Sequence, residues 1–457
     1  MINAQDLRLA KSEQLGQDAR VVLNLGMAVL FFSTASRTLV AFGAPGLVDF
    51  LHIPMVLFAV AASPRLIRAS KVCRRSCLWV GVLFIVSIAS WIDSGGDLVR
   101  PFAEWILLAE PLLFGAVLIA ALLALPGPIR LVQARRLELA VILIAIAQLL
   151  FGVVVLLRGE VGDHVQGTFI GVGSGAHIAG AVATVGAIGA CARALRAHQN
   201  RGKWLLLAVA LMLLTIAADA KQVIIAAIPA FLVLILLSNI VVGGSAQAQR
   251  RARYGALMLC VVFFTALFVT YAPLRSSSQN YNVAGSNGKF LATRLIVGAM
   301  SGRPEAFLVG LGPGDTVGKL AILTVGSGLK GSSPVGFLHL GQSEITAKVL
   351  ALDNGNYVVA SSSVWTGLSS ALGLFGDLGL LGLLAYIMAW WALLRGAGRR
   401  PSNERAVVVA LSTFAAILAV IMIWLEEPNF MLPLIALLAS SVASASVVPA
   451  RASSSVA

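Results

Sequence analysis

The sequence predicts an all-α, polytopic membrane protein of about twelve transmembrane helices, with one large extracytoplasmic loop between helices 9 and 10. Three observations point to it. Only 12% of the 457 residues are charged and 58% are hydrophobic, whereas soluble domains carry about 25% charge. Mean hydropathy is +0.91, so the apolar excess must face lipid rather than water. Long apolar runs alternate with short basic stretches, and about 20 apolar residues span the hydrocarbon.

The apolar runs place helices at 21–42, 45–63, 77–94, 103–125, 138–157, 169–192, 203–219, 222–243, 255–272, 364–394, 405–425 and 428–447. Residues 1–20 are polar, and the run that follows is too long for a signal-peptide core, so no cleaved signal is expected. The chain divides into 1–20 (cytoplasmic), 21–272 (nine helices), 273–363 (the loop), 364–447 (three helices) and a small, polar, disordered tail at 448–457.

Charge sets the orientation. Basic clusters occupy alternate loops: Arg65, Arg68, Lys71, Arg74 and Arg75; Arg130, Arg135 and Arg136; Arg193, Arg196, Arg201 and Lys203; Arg250, Arg251 and Arg253; Arg395, Arg399, Arg400 and Arg405. Retention of Lys and Arg on the cytoplasmic side puts both termini inside and 273–363 outside. The net charge of +14 is therefore mostly a topology signal; the basic loops suit anionic membrane lipid, and no nucleic-acid partner is implied. The four cysteines, Cys73, Cys77, Cys191 and Cys260, all fall in helices or cytoplasmic loops, so no disulfide framework is expected.

Ionisable groups at membrane depth are costly and mark sites by default. Arg37, Asp49, His52, Arg100, Glu104, Arg158, Asp219 and Lys221 lie near outer helix ends, with Glu110 and Asp377 deeper. Singly, the arginines are explained by snorkelling to the interface. Together they oppose the positive-inside trend, and a cavity gathering them would suit phosphate.

Asp163-His164-Val165-Gln166-Gly167-Thr168-Phe169, followed by Gly171, Gly173, Ser174, Gly175 and His177, stands at the outer mouth of the sixth helix. Its glycines permit close approach of a ligand or a helix, and His177 reads equally well as a hydrogen-bonded core residue. The loop carries a weakly amphipathic stretch at 289–301 containing Arg294, and a tight Gly-Pro-Gly turn in Leu311-Gly312-Pro313-Gly314-Asp315. The turn is not a P-loop, because no Lys-Ser/Thr follows it. His339 and Glu344 are further polar residues of the loop, and Gly373-Leu374-Phe375-Gly376-Asp377-Leu378-Gly379-Leu380-Leu381-Gly382 gives the tenth helix a close-packed or broken start. No metal site and no cofactor are expected.

In order, these patches resemble the O-antigen ligase and Wzy-type polysaccharide polymerase superfamily, most of all its exopolysaccharide polymerases. The resemblance covers 20–430 in architecture and only short motifs in identity. It implies transfer of a glycan from a polyprenyl-pyrophosphate carrier to an acceptor on the outer face of the bacterial inner membrane, with the loop in the periplasm, no metal, and other polysaccharide-assembly proteins as partners. It also implies that Lys221 and Arg294 hold the pyrophosphate. Arg37, Asp163, His177 and Asp377 complete the expected substrate-binding set, and Asp315, His339 and Glu344 are the candidate bases. Ligases carry a His shortly before the Gly-rich helix, where this chain reads Ser361-Ser362-Ser363-Val364-Trp365-Thr366-Gly367-Leu368. That difference favours a polymerase over a lipopolysaccharide ligase. The rival readings are a lipid-linked oligosaccharide transporter, which would show two related halves and midplane binding residues, and a non-catalytic assembly subunit.

Overall fold

The structure, a computed structural model, describes residues 4–169, 175–196, 200–238, 254, 258, 288–325, 343–355, 367–397 and 402–446. Regular structure among them is all helical: α1 (Ala4–Ala41), α2 (His52–Ala61), α3 (Pro64–Ala69), α4 (Lys71–Ser94), α5 (Val99–Ala124), α6 (Gly127–Leu157), α7 (Gly175–Arg196), α8 (Arg201–Ala217), α9 (Lys221–Leu237), α10 (Gly288–Ser301), α11 (Ala306–Val309), α12 (Lys319–Val325), α13 (Glu344–Gly355), α14 (Ser370–Leu394), α15 (Asn403–Ile421) and α16 (Pro428–Ala445), with short 3₁₀ turns between some of them.

Eight of the described helices are long and apolar enough to cross a membrane, and two shorter apolar segments, Gly46–Ala61 and Lys221–Leu237, accompany them. Several differ from the sequence reading. The second expected helix is split into a 3₁₀ turn at Gly46–Phe50 and α2. The polar segment 1–20 continues into α1 without a break from Ala4, and α15 ends at Ile421, four residues before its expected end. The expected ninth helix at 255–272, apart from Met258, lies outside the described residues, as do His339, Cys260 and the tail.

The outer surface of the bundle is apolar. On α4, Leu78, Ile85 and Ile92 recur every seven residues on one face and are 63%, 66% and 70% exposed. An exposed apolar stripe of that kind suits lipid and not water. By contrast, α5 and α16 run through the centre almost wholly enclosed, α16 against α5, α6 and α7, and α14 packs on α4.

Hydrogen bonds sort the two ends of the bundle. At one end Arg130 donates to Ser446 at 2.9 Å, and Arg193 and Arg196 bind Glu138 at 2.9 and 2.6 Å. At the other, Arg37 near the end of α1 reaches Glu427 before α16 at 3.0 Å, and Thr38 donates to the carbonyl of Thr168 ahead of α7. The described segments 288–325 and 343–355 reach the bundle at this second end: Arg303 pairs with Asp93, Asp315 with Arg100, and Lys319 with Glu427 at 2.6 Å.

Docking depends on a break in α14. Gly379 has φ 65° and ψ −167°, a left-handed conformation open to glycine. A Cβ there would sit 2.4 Å from the Leu308 carbonyl, and one on Gly310 would sit 2.1 Å from the Asp377 carbonyl oxygen, so two backbones touch where both lack side chains. Breaking a helix frees carbonyls that need new donors inside a membrane. Leu311 N–H donates to Gly376 O at 2.8 Å and the Ser90 hydroxyl to Asp377 O at 2.6 Å.

Candidate functional site

Helix α10 and the start of α13 face one another across an open groove of about 740 Å³. Its apolar lining includes Leu291, Leu295 and Leu311, and its polar lining is Arg294, Arg303, Asp315, Ser343, Glu344 and Lys348. Lysine and arginine over leucine suit an amphiphile with an anionic head. The groove is not all cation. Glu344, a fully exposed residue, is bound to Lys348 at 2.6 Å, and that hydrogen bond holds its carboxyl below the usual range. Burial pushes the Asp315 carboxyl up, against the opposing pull of Arg100 and then Arg303. Of these two carboxylates Asp315 is therefore the more basic.

Beneath the loop lies a second network. Arg37 binds Asp49 at 3.1 Å and Glu427 at 3.0 Å; Lys319 takes the other Glu427 oxygen at 2.6 Å; Asn429 donates to Glu427 at 2.9 Å. Glu426 and Glu427 stand in the turn between α15 and α16, outside the spans. Burial alone would raise Glu427, but Arg37 and Lys319 outweigh it and bring its pKa down to about 2. For Glu426 burial wins, raising it to about 7 although the Lys319 N–H donates to it. Asp377 accepts from the Thr316 N–H at 2.8 Å and the Thr316 hydroxyl at 2.7 Å.

A third network is built at the mouth of α7. Lys221 pairs with Asp219 at 3.1 Å, and His177 Nε2 lies 4.0 Å from Asp163. Gln148 supports the neighbouring Thr168 through two hydrogen bonds of 2.8 Å. Asp219 itself has φ 50°, a conformation rare for a residue with a side chain.

The predicted residues are thus divided. Arg294, Asp315 and Glu344 share the groove. Asp377 lies under the loop, held by Thr316. Arg37, Lys221, Asp163 and His177 do not line the groove; the charge of Arg37 is neutralised by two carboxylates and that of Lys221 by one. Among the described residues, no carboxylate lies within ion-pair distance of Arg294, and no set of three His, Cys, Asp or Glu has the geometry for a metal ion. Sequence reasoning missed Arg303, Lys319, Lys348, Glu426 and Glu427. Adjacent acids at the junction of two apolar runs were a usable signal for the last two; Lys319 and Lys348 look like any solvated loop lysine. No protein-family model and no curated protein matches the chain.

Proposed function

We propose that the protein is a membrane glycan-transfer enzyme of the polysaccharide polymerase type. In this reading it takes a glycan from a polyprenyl-pyrophosphate carrier and joins it to an acceptor glycan on the outer face of the bacterial inner membrane. The observation that carries the reading is the groove: Arg294, Arg303 and Lys348 stand over leucines, at the end of the bundle away from the Arg130, Arg193 and Arg196 cluster. Positive-inside retention makes the groove end the outer one. A cationic rim with an apolar wall matches the head and tail of a polyprenyl pyrophosphate.

The reaction is an inverting displacement. The acceptor hydroxyl oxygen bonds to the anomeric carbon, the bond from that carbon to the pyrophosphate oxygen breaks, and polyprenyl pyrophosphate leaves with both electrons. Arg294 neutralises the leaving group, the main electrostatic task, joined by Arg303 and Lys348 as they exchange Asp93 and Glu344 for phosphate. Asp315 takes the acceptor proton. Arg37 and Lys221 have structural roles in this scheme, as partners of Glu427 and Asp219.

A second reading, transport of a lipid-linked oligosaccharide, is favoured by one observation. Helix α14 is interrupted beside the buried Asp377, as transporter helices are at their binding sites. Purified full-length protein in vesicles, given a lipid-linked repeat unit, separates the two. Glycan ladders with release of polyprenyl pyrophosphate are expected, and the paired R294A and K348A substitutions should slow elongation by roughly 10- to 100-fold, two charge-assisted contacts' worth. Movement of the lipid-linked unit across the vesicle wall with no elongation would sink glycan transfer and leave transport.

A further inference from the structure

Three carboxyl groups in the bundle play no part in the scheme above. Glu104 is 0% exposed, Asp377 0% and Glu426 1%. They come from α5, from α14 two residues before its break, and from the turn ahead of α16. Four of their six oxygens have no hydrogen-bond partner among the described residues: both of Glu104, Oδ2 of Asp377 and Oε1 of Glu426. The remaining Asp377 and Glu426 oxygens accept from Thr316 and from the Lys319 N–H, and the Ser370 hydroxyl and Leu320 N–H also face Glu426.

Asp377 and Glu426 face one another, with Glu104 within reach of their charges. Between two of them sits Gly318, where a Cβ would lie 3.2 Å from Asp377 Oδ2 and 3.3 and 3.6 Å from the Glu426 oxygens. Glu104 lies in the field of both Asp377 and Glu426. The cations of the adjoining elements are engaged elsewhere: Lys319 and Arg37 on Glu427, Arg37 also on Asp49, and Arg100 on Asp315. Asp315 adds a further negative charge beside Asp377. A separate residue also points to an occupant. The Tyr386 hydroxyl, beyond the break in α14, is 5% exposed, has no partner among the described residues and lies in the field of Glu426.

Three buried ionised carboxylates with only the Lys319 ammonium near Glu426, itself bound to Glu427, would be strongly unfavourable, and two carboxyls sharing a site resolve the repulsion by keeping a proton. We infer that Glu104, Asp377 and Glu426, with the Tyr386 hydroxyl, form a proton-binding site at the break of α14, in which neutral carboxylic acids donate to the otherwise bare oxygens of their neighbours. Each proton loaded neutralises one carboxylate and each released restores it, with outer water as donor and acceptor. The site is independent of the glycan-transfer reading, and a proton is the occupant that buried carboxyls without an ion-pair partner of their own would take.

Infrared difference spectroscopy on the full-length protein in lipid nanodiscs, without glycan substrate, tests it. At neutral pH the wild type should have the carbonyl-stretching band of protonated carboxyl groups, and this band should shift in D₂O. E104Q and D377N should each remove a share of it, whereas E344Q, at an exposed position, should leave it intact. Absence of the band in the wild type at neutral pH would overturn the site even if the variants do not fold. So would an unchanged band in folded E104Q and D377N. Loss of the band when choline chloride is replaced by sodium chloride would overturn it too, by making the occupant a sodium ion.

Discussion

Glu138 and Glu104 are buried carboxylates of long helices, at opposite ends of the bundle, and they are treated in opposite ways. Glu138 is held by Arg193 at 2.9 Å and Arg196 at 2.6 Å, so both oxygens are satisfied by guanidinium groups. Among the described residues Glu104 has no partner on either oxygen. One end thus uses its charges to join helices: α6 is tied to α7 by Glu138, and Arg130 ties α6 to the end of α16. At the other end a joining network, Arg37–Glu427–Lys319, lies next to Glu104, which joins nothing among the described residues, and to Asp377 and Glu426, which hold the 316–319 segment through one oxygen each. A buried acid with two cations is a structural element; one without them is a burden unless it holds a proton.

The largest expected effect breaks the contact that brings the loop to those carboxyls. G379A puts a Cβ at φ 65° against the Leu308 carbonyl. Left-handed strain plus overlap should cost about 3 kcal/mol or more, read as a large drop in the thermal unfolding midpoint in detergent. Unchanged stability would mean that the loop does not dock on α14.

E427Q is next. The depressed Glu427 pKa means that its ion pairs stabilise the fold fully above the ordinary carboxylate value. That stability is lost as pH falls from there toward 2. Removing it should cost about 3 kcal/mol at neutral pH and flatten the acid limb of the stability–pH profile. A variant with the wild-type acid limb would show that Arg37 and Lys319 do not depend on Glu427.

Sharpening the comparison itself needs the smallest effects. E138Q leaves two partly buried guanidinium groups with a neutral partner and should lose about 2 kcal/mol, less than the full cost of a broken buried pair because both arginines are about one-fifth exposed. E104Q, with no cation to abandon, should stay within about 0.5 kcal/mol of the wild type or exceed it. Equal losses in the two variants would erase the contrast between the ends.

Much of the bundle was legible in the sequence. Apolar runs identify the eight long helices because a membrane demands length and apolarity locally, and Arg130, Arg193 and Arg196 identify one end because topology follows from local charge. The loop's amphipathic helix and its Gly-Pro-Gly turn were also legible, as was Arg294 at the groove. The groove partners Arg303 and Lys348 were not, since nothing distinguishes a loop cation that faces a cavity from one that faces water.

By itself, then, the sequence determined the all-helical membrane class, the sidedness of its charges and the presence of buried acids, because each depends on residues close together along the chain. Only the tertiary structure decided which acids are paired. Arg37 and Glu427 are 390 residues apart and Asp377 and Thr316 are 61 apart, and no local pattern carries a distance of that kind. Whether a buried carboxylate becomes half of an ion pair or a holder of protons depends on which cation the packing brings within about 3 Å, and packing is a property of the whole bundle.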